Sequence, residues 1–340
     1  MNKQLSVLSL LLLIAIGVGV WILQKPSYSE FESELLFADL SSVAADVDSV
    51  MIENSSGTLF KAVKSEDTWL AELGYTGQLY PVDKRKLANL INTLMQAKLI
   101  EAKTKLKQNH GRLGLQGINQ EDSLARLVTI AIGTKTWQVL IGNQVNLGEG
   151  NYVRLPNENQ SWRLDKNINL PIDQFSWFKH PILPYKSEDI VSVSRVDKHN
   201  WSMLYNDDIA EFTLEQLPDG RTLQYDGVLT GFVSSLTNID YQEIISADEY
   251  FIQSLERETE LNLVTKQNVQ FKLIVSKAKD IYYLNFSSDN AQEYWQNYYY
   301  QVSTFSAQQL NKQVEDFLAE VTQSIDDNVD AFVEEGAPEN

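Results

Sequence analysis

The sequence predicts an α+β protein: an N-terminal transmembrane helix followed by two tandem, internally duplicated β-rich α+β domains. Three observations predict it. An uncharged apolar run fills positions 5–23, short segments of alternating apolar and polar residues recur through the rest of the chain, and a set of residues repeats at one fixed offset. With 340 residues and 43% apolar content there is room for two domains with real cores.

The run Leu5 to Leu23 carries no charge and only two serines. At helical rise it spans roughly 28 Å, close to the hydrocarbon thickness of a bilayer. It ends in Trp21-Ile22-Leu23 and not in a small-x-small cleavage site. Trp21 sits where an interfacial aromatic belongs, and Lys25 can snorkel to the headgroups. The expectation is a single-pass signal anchor in a bacterial inner membrane, with residues 1–4 as a cytoplasmic tail and the bulk of the chain periplasmic.

From Pro26 onward the chain carries 26 Lys and Arg against 46 Asp and Glu, and the whole has a formal net charge of −18. Such a body repels phosphate backbones and anionic headgroups, which argues against nucleic-acid binding. There is no cysteine, so disulfides, thiolate catalysis and cysteine–zinc sites are excluded.

Residues 24–45 read as a linker that becomes a short helix. A first α+β repeat is expected over 46–183. Ser49 to Ile52, Thr58 to Val63 and Thr68 to Glu72 read as strands, with Asn54-Ser55-Ser56-Gly57 as a turn. Asp83 is a good N-cap, and Leu87, Leu90, Ile91 and Leu94 follow at i, i+3, i+4, i+7, one buried helical face. A second repeat is expected over 184–322. Ser192, Phe212, Glu215, Gly220 and Asp226 lie 143 residues after Ser49, Trp69, Glu72, Gly77 and Asp83. The helical face recurs as Leu229, Phe232, Val233 and Leu236. After its helix each half has a loop and more strands, then a closing helix: "PIDQFSWF" in the first half and "SAQQLNKQVEDFLAEV" in the second. In the latter, Ser306 and Gln309 have the spacing of a capping box. An apolar stripe, Val314, Phe317, Leu318, Val321, Ile325, Phe332 and Val333, continues into an acidic tail over 323–340. Between Gln313 and Asn340 there are nine acids and no base.

No catalytic constellation emerges. His110, His180 and His199 lie far apart, without paired ligands at metal spacing, and read as solvated or locally bonded side chains. "HGRLGLQG" follows the basic loop "KTKLKQNH" and not a strand, so it reads as a turn-rich approach to the strand at Leu127 and not as a phosphate loop. There is no G-x-S-x-G. Asp165, Asp173, Asp207, Asp208 and Asp240 are the carboxylates one would nominate for a glycosidase-like pair, but nothing ranks them above surface solubility. No cofactor or metal is expected. The densest aromatic run, Glu293 to Phe305, puts Tyr298, Tyr300 and Val302 on one side of a strand and Tyr299 and Gln301 on the other. Tyr298, Tyr299, Tyr300 and Trp295, with Phe332 and Val333 of the C-terminal stripe, are the candidate partner-binding residues. Packing is the favoured reading of the aromatic run.

An ordered set of individually weak motifs carries a family resemblance. The anchor is followed by "LLFADLSSVAADVDSVMIENSSGTLFKAVKSEDTWL", "YPVDKRKLANLINTLMQAKLIEAKT", "HGRLGLQG", "WQVLIGN", "NYVRL" and "WRLDKNINLP". This order resembles the bacterial family catalogued as domain of unknown function 4340, most strongly over Leu36 to Leu183 and more faintly beyond. The resemblance implies a membrane-anchored envelope protein whose neighbours are subunits of an ABC-type export system of the gliding-motility kind, and it supplies no catalytic residues. The functional expectation is a non-enzymatic periplasmic binding or scaffold subunit, with the ABC permease and ATPase as partners. The alternatives are a periplasmic hydrolase acting on glycan or peptide through acidic residues, or a soluble secreted binding protein if the N-terminal segment is cleaved.

Overall fold

A computed structural model describes Ile14 and residues 32–74, 77–246, 248–289, 294–296 and 298–320. The expected anchor (apart from Ile14) and the C-terminal tail with Phe332 and Val333 lie outside the described residues. Among the described residues no helix is long and apolar enough to cross a membrane. The chain divides into two units, Met1–Lys179 and His180–Asn340. It is mostly antiparallel β-sheet with few helices.

In the first unit a tight turn starts the sheet. The Asn54 carboxamide accepts a hydrogen bond from the Ser56 backbone N–H at 2.8 Å, and Gly57 takes φ +116°, a region other residues avoid. Strands β2 (Ser49–Asn54) and β3 (Gly57–Ser65) therefore pair with Val50 opposite Ala62 and Ile52 opposite Phe60, all four buried. The meander continues through β4 (Thr68–Glu72) and β5 (Leu79–Pro81). A second meander, β7 (Arg126–Ile132), β8 (Lys135–Gln144), β9 (Asn151–Arg154) and β10 (Ser161–Leu164), joins the first where β7 pairs with β2. Beyond β10 lie β6 (Lys98–Ala102) and the two-residue β1 (Glu34–Leu35), so the ten strands run β1-β6-β10-β9-β8-β7-β2-β3-β4-β5.

Helix α1 (Lys84–Gln96) is where the heptad-like spacing places it. The Asp83 carboxylate accepts from the Arg85 N–H at 2.9 Å, and Leu87, Leu90, Ile91 and Leu94 are buried. Leu90 shares a groove with Ile168 and Trp177, and Ile91 one with Val47 and Trp69. Each such burial is worth roughly 2 kcal/mol, so the covering face holds the helix far more firmly than its intrinsic propensity does.

The second unit starts with β11 (Ile190–Arg195), β12 (Trp201–Asn206) and β13 (Glu211–Leu214), followed by helix α2 (Val228–Thr237). Next come β14 (Glu243–Ile245), the short helix α3 (Glu249–Gln253), and the meander β15 (Glu256–Thr265), β16 (Gln270–Ala278), β17 (Ile281–Ser288) and β18 (Tyr299–Val302). Its eight strands run β13-β12-β11-β15-β16-β17-β18-β14. With β1 and β5 set aside, the first unit has the same order read from its other end, with a helix in the same place in the chain. Leu229, Phe232, Val233 and Leu236 are buried as the spacing indicates. Trp201, Phe232 and Phe317 meet edge to face with centroids 5.2–5.6 Å apart.

Several expected elements differ. The linker of 24–45 contains β1 and two 3-10 turns (Leu40–Ser42, Ala44–Asp46) in place of a short α-helix. "PIDQFSWF" forms only a 3-10 turn, Phe175–Trp177, because its aromatics are drawn inward: Trp177 stacks on Phe60 at 5.0 Å and Phe178 meets Tyr80 at 5.4 Å. Asp226 does not cap α2. The N-cap is Gly227 at φ +81°, without a side-chain cap. The long C-terminal helix is also absent from the described residues. Helix α4 covers only Thr304–Leu310, capped by Ser303, whose hydroxyl accepts from the Ser306 N–H at 3.0 Å, and not by a Ser306–Gln309 box. It stops because the next two residues are bonded to the sheet. The Asn311 side-chain oxygen accepts from the Thr259 hydroxyl at 2.6 Å, and the Lys312 carbonyl accepts from Arg195 Nη1 and Trp201 Nε1, both at 2.9 Å. A 3-10 turn, Val314–Phe317, then seats Phe317 in the aromatic core, and Leu318 bridges to Leu223.

Candidate functional site

The connection from β6 to β7, residues 103–125, is fixed by several buried contacts, and it begins with the positively charged stretch of the sequence. Its 110–115 segment lies flush on β8. A Cβ at Gly142 would stand 2.3 Å from the Leu113 carbonyl oxygen, so only glycine admits this approach. Leu115 forms a small apolar core with Ala125 and Leu140. The Ser123 hydroxyl donates to the Gln116 carbonyl at 3.0 Å and closes the loop.

Two buried polar side chains tie this loop to the β9–β10 turn. His110 is 4% exposed, and its Nε2 donates to the Asn159 carbonyl at 2.9 Å, which places the ring proton on Nε2. Arg154, at the end of β9, is 8% exposed. Its Nε and Nη2 reach the Leu115 carbonyl at 3.3 and 3.2 Å, and its Nη1 reaches the carbonyls of Leu155, Pro156 and Glu158 at 3.4, 3.1 and 2.9 Å. No carboxylate among the described residues pairs with it. Burial alone pulls its pKa below the usual guanidinium value, though it stays charged at any physiological pH.

Between loop and turn lies a cleft of about 600 Å³. Lys107, His110, Gln116, Gln120, Arg154 and Asn157 are among the side chains that line it, and none of its lining residues is an Asp or Glu. Glu121, Asp122 and Glu158 are neighbours in sequence but not in the lining. In a chain of net charge −18 this is a locally positive, amide-rich hollow. "HGRLGLQG" thus builds one wall of a cleft as well as making the turn.

The aromatic candidates lie elsewhere. Trp295 and Tyr300 are fully buried: Trp295 packs on Phe271 and Phe286, and Tyr300 on Phe286 and Tyr241. As contact residues these two are corrected to core. Tyr298 and Tyr299 are half-buried, and burial pushes both phenols above their ordinary pKa. Phe251 of α3 stands edge-on to Tyr299 at 5.5 Å, so part of that face is covered from within the unit. Phe332 and Val333 lie outside the described residues.

Three of the nominated carboxylates have local partners. The Asp165 carboxylate accepts from the Lys98 N–H, Asp173 from the Ser176 N–H and hydroxyl, and Asp240 lies 3.4 Å from Nδ1 of His180, whose ring stacks on Tyr241 at 4.1 Å. Asp207 and Asp208 lie in the β12–β13 turn, where the Asp208 N–H bonds to the Asn206 side chain. Among the described residues no cluster of three or more His, Asp or Glu is placed to hold a metal ion.

Fold and site together define a class: tandem antiparallel β-sheet units, each with its helix at the same point in the chain, and a loop-built polar cleft on one of them. Residues 75–254 match the family described as Domain of unknown function (DUF4340), and the chain belongs to that family. The match starts later than Leu36, where the strongest resemblance begins, and runs past Leu183 into the second unit, ending just after α3. No curated protein matches, and no solved structure does.

Proposed function

We propose that the chain is a non-enzymatic, membrane-anchored envelope subunit. In this reading the run 5–23 holds it in a bacterial inner membrane and the two sheet units stand in the periplasm as binding and scaffold modules of an ABC-type export complex. The observation that carries the reading is the repeated connectivity with unequal elaboration. Two units of the same strand order, descended in this reading from one duplicated ancestor, differ in the connection that builds the basic cleft of the first. Duplication followed by decoration of one copy is how a chain gains one ligand-holding module and one that serves position and contact. The apolar, uncharged run ahead of a strongly acidic body supports the anchored topology.

The test is purification of the full-length chain from native membranes in mild detergent, with quantitative mass spectrometry of what accompanies it, and protease accessibility in spheroplasts. Stoichiometric permease and ATPase, with the body cleaved from outside, is the expected result. Recovery without transporter subunits removes the export assignment, and protection of the body from outside protease removes the topology.

A further inference from the structure

We infer that the cleft between the 103–125 connection and the β9–β10 turn is a binding site for an acidic saccharide, a hydroxyl-rich chain bearing carboxylates of the uronic-acid kind. The inference rests on reading the first unit as a binding module and gives that module its ligand class.

The charge comes first. Arg154 is a buried guanidinium with no counter-charge among the described residues, offset only by carbonyl dipoles. Buried charges are ordinarily paired, so a cation left with dipoles alone presents an unneutralised field to whatever enters. Lys107, exposed on the same lining, adds a second permanent positive charge. Lys105 and Arg112 belong to the same acid-free stretch of the loop, whereas Lys103 is paired with Glu101 at 2.6 Å. With no carboxylate in the lining, the cleft selects for an anion against the sign of the rest of the molecule.

The amides come second. Gln108, Gln116, Gln120, Asn157 and Asn159 each offer both donors and an acceptor. That is the complement of hydroxyl groups, which also donate and accept. Pro156 is the one apolar side chain on the lining, and no Phe, Tyr or Trp is present. An acyl chain or an apolar peptide side chain would find only Pro156 to bury against, and a nucleobase would find the buried His110 ring but no Phe, Tyr or Trp to stack on. At about 600 Å³ the hollow is within the range of small-ligand sites, which run to roughly 1,000 Å³. Its walls are fixed beforehand by the Gly142 approach, the Arg154 clamp and the His110–Asn159 bond, so little ordering is left to oppose binding.

The experiment is calorimetric titration of the detergent-solubilised full chain with an oligogalacturonide. A neutral maltooligosaccharide of equal length, inorganic phosphate and pentaglutamate serve as comparisons. Saturable binding of the oligogalacturonide is expected, with affinity at least about tenfold above each comparison. Lys107→Glu and Gln120→Glu reverse or add charge at exposed lining positions, and each is expected to lower affinity about tenfold with an unchanged melting temperature. Lys61→Glu on β3, four places from β9 in the sheet order, is expected to change nothing. Absence of saturable binding, or full affinity in Lys107→Glu, overturns the site. Equal binding of the neutral oligosaccharide overturns the role of charge, and equal binding of phosphate or pentaglutamate overturns the saccharide. The titration needs no transporter, so its failure leaves the scaffold reading standing, and failure of co-purification leaves the cleft standing.

Discussion

The two units share eight strands in one order and differ in what connects them. Between β6 and β7 the first unit inserts residues 103–125, with two 3-10 turns, three glycines and the basic stretch. Between β14 and β15 the second has only residues 246–255, and these carry α3, whose Phe251 lies edge-on to Tyr283 and Tyr299. The same position in the topology therefore builds a polar hollow in one unit and an aromatic cover in the other. Sheets set where a loop starts and ends, and the loop's own residues set what it can bind.

The independence of the two units is tested most strongly in the core of the second. Trp201→Ala empties the aromatic cluster of the second unit and takes a donor from the Lys312 carbonyl, and about 4 kcal/mol should be lost. Hydrogen exchange read by mass spectrometry should show that loss in β11 to β18 while the first unit keeps its protection. Uniform loss across both units would mean that they do not unfold separately. Gly142→Ala attacks the other side. Its new Cβ meets the Leu113 and Gly114 carbonyls at 2.3 and 2.9 Å, and about 3 kcal/mol of destabilisation is expected, confined to the first unit and accompanied by loss of ligand binding.

The covering helices of the two units differ at their N-termini. Asp83→Ala removes a working N-cap and should cost about 1 kcal/mol by denaturant titration. Asp226→Ala, at the matching sequence offset, should cost less than about 0.5 kcal/mol, since α2 starts at Gly227 without a side-chain cap. Equal effects would refute the difference in capping.

The smallest effect is one of pH and belongs to the second unit. Burial acts to raise the pKa of Asp197, but the His199 N–H and the Arg195 guanidinium, 2.7 Å away, outweigh it and hold the carboxyl below its usual range. A depressed folded pKa contributes stability that is present above the unfolded value of about 4 and is lost as pH falls below it. Thermal melts from pH 6 down to pH 3 should therefore fall less steeply in Asp197→Asn than in the parent. An identical slope would mean the pair contributes nothing.

How much the sequence disclosed depends on the range of the interactions involved. The helical faces of α1 and α2 and most strands were legible because their signal is local periodicity, as with Leu87, Leu90, Ile91 and Leu94. The C-terminal helix misled because the apolar spacing of Val314, Phe317 and Leu318 suits a helix, while the bonds that end it come from Thr259, Arg195 and Trp201, distant in sequence. The cleft was hidden for the same reason. Arg154 in "NYVRL" reads as one more alternating strand residue, and its partner carbonyl on Leu115 is 39 positions away. One signal was present: Lys103, Lys105, Lys107 and Arg112 without an intervening acid, in a chain where acids predominate. The aromatic run was legible as a strand, but which of its residues would be buried depended on Phe271, Phe286 and Phe251 packing onto it.

The junction of the two meanders has a kinetic consequence. In each unit the middle of the sheet is made by strands far apart in the chain: Ser49 pairs with Ala131, and Val193 with Leu263. The hairpins on either side close over short loops and form early, whereas the central seam must wait for the chain to be made through β7 or β15 and then pay the entropy of a long closure. Refolding of each unit should therefore run on the millisecond-to-second scale of non-local β topologies. Because each unit closes its seam with its own strands, a chain emerging N-terminus first can complete the first sheet before the second has been synthesised, so the repetition also divides a long assembly into two successive shorter ones.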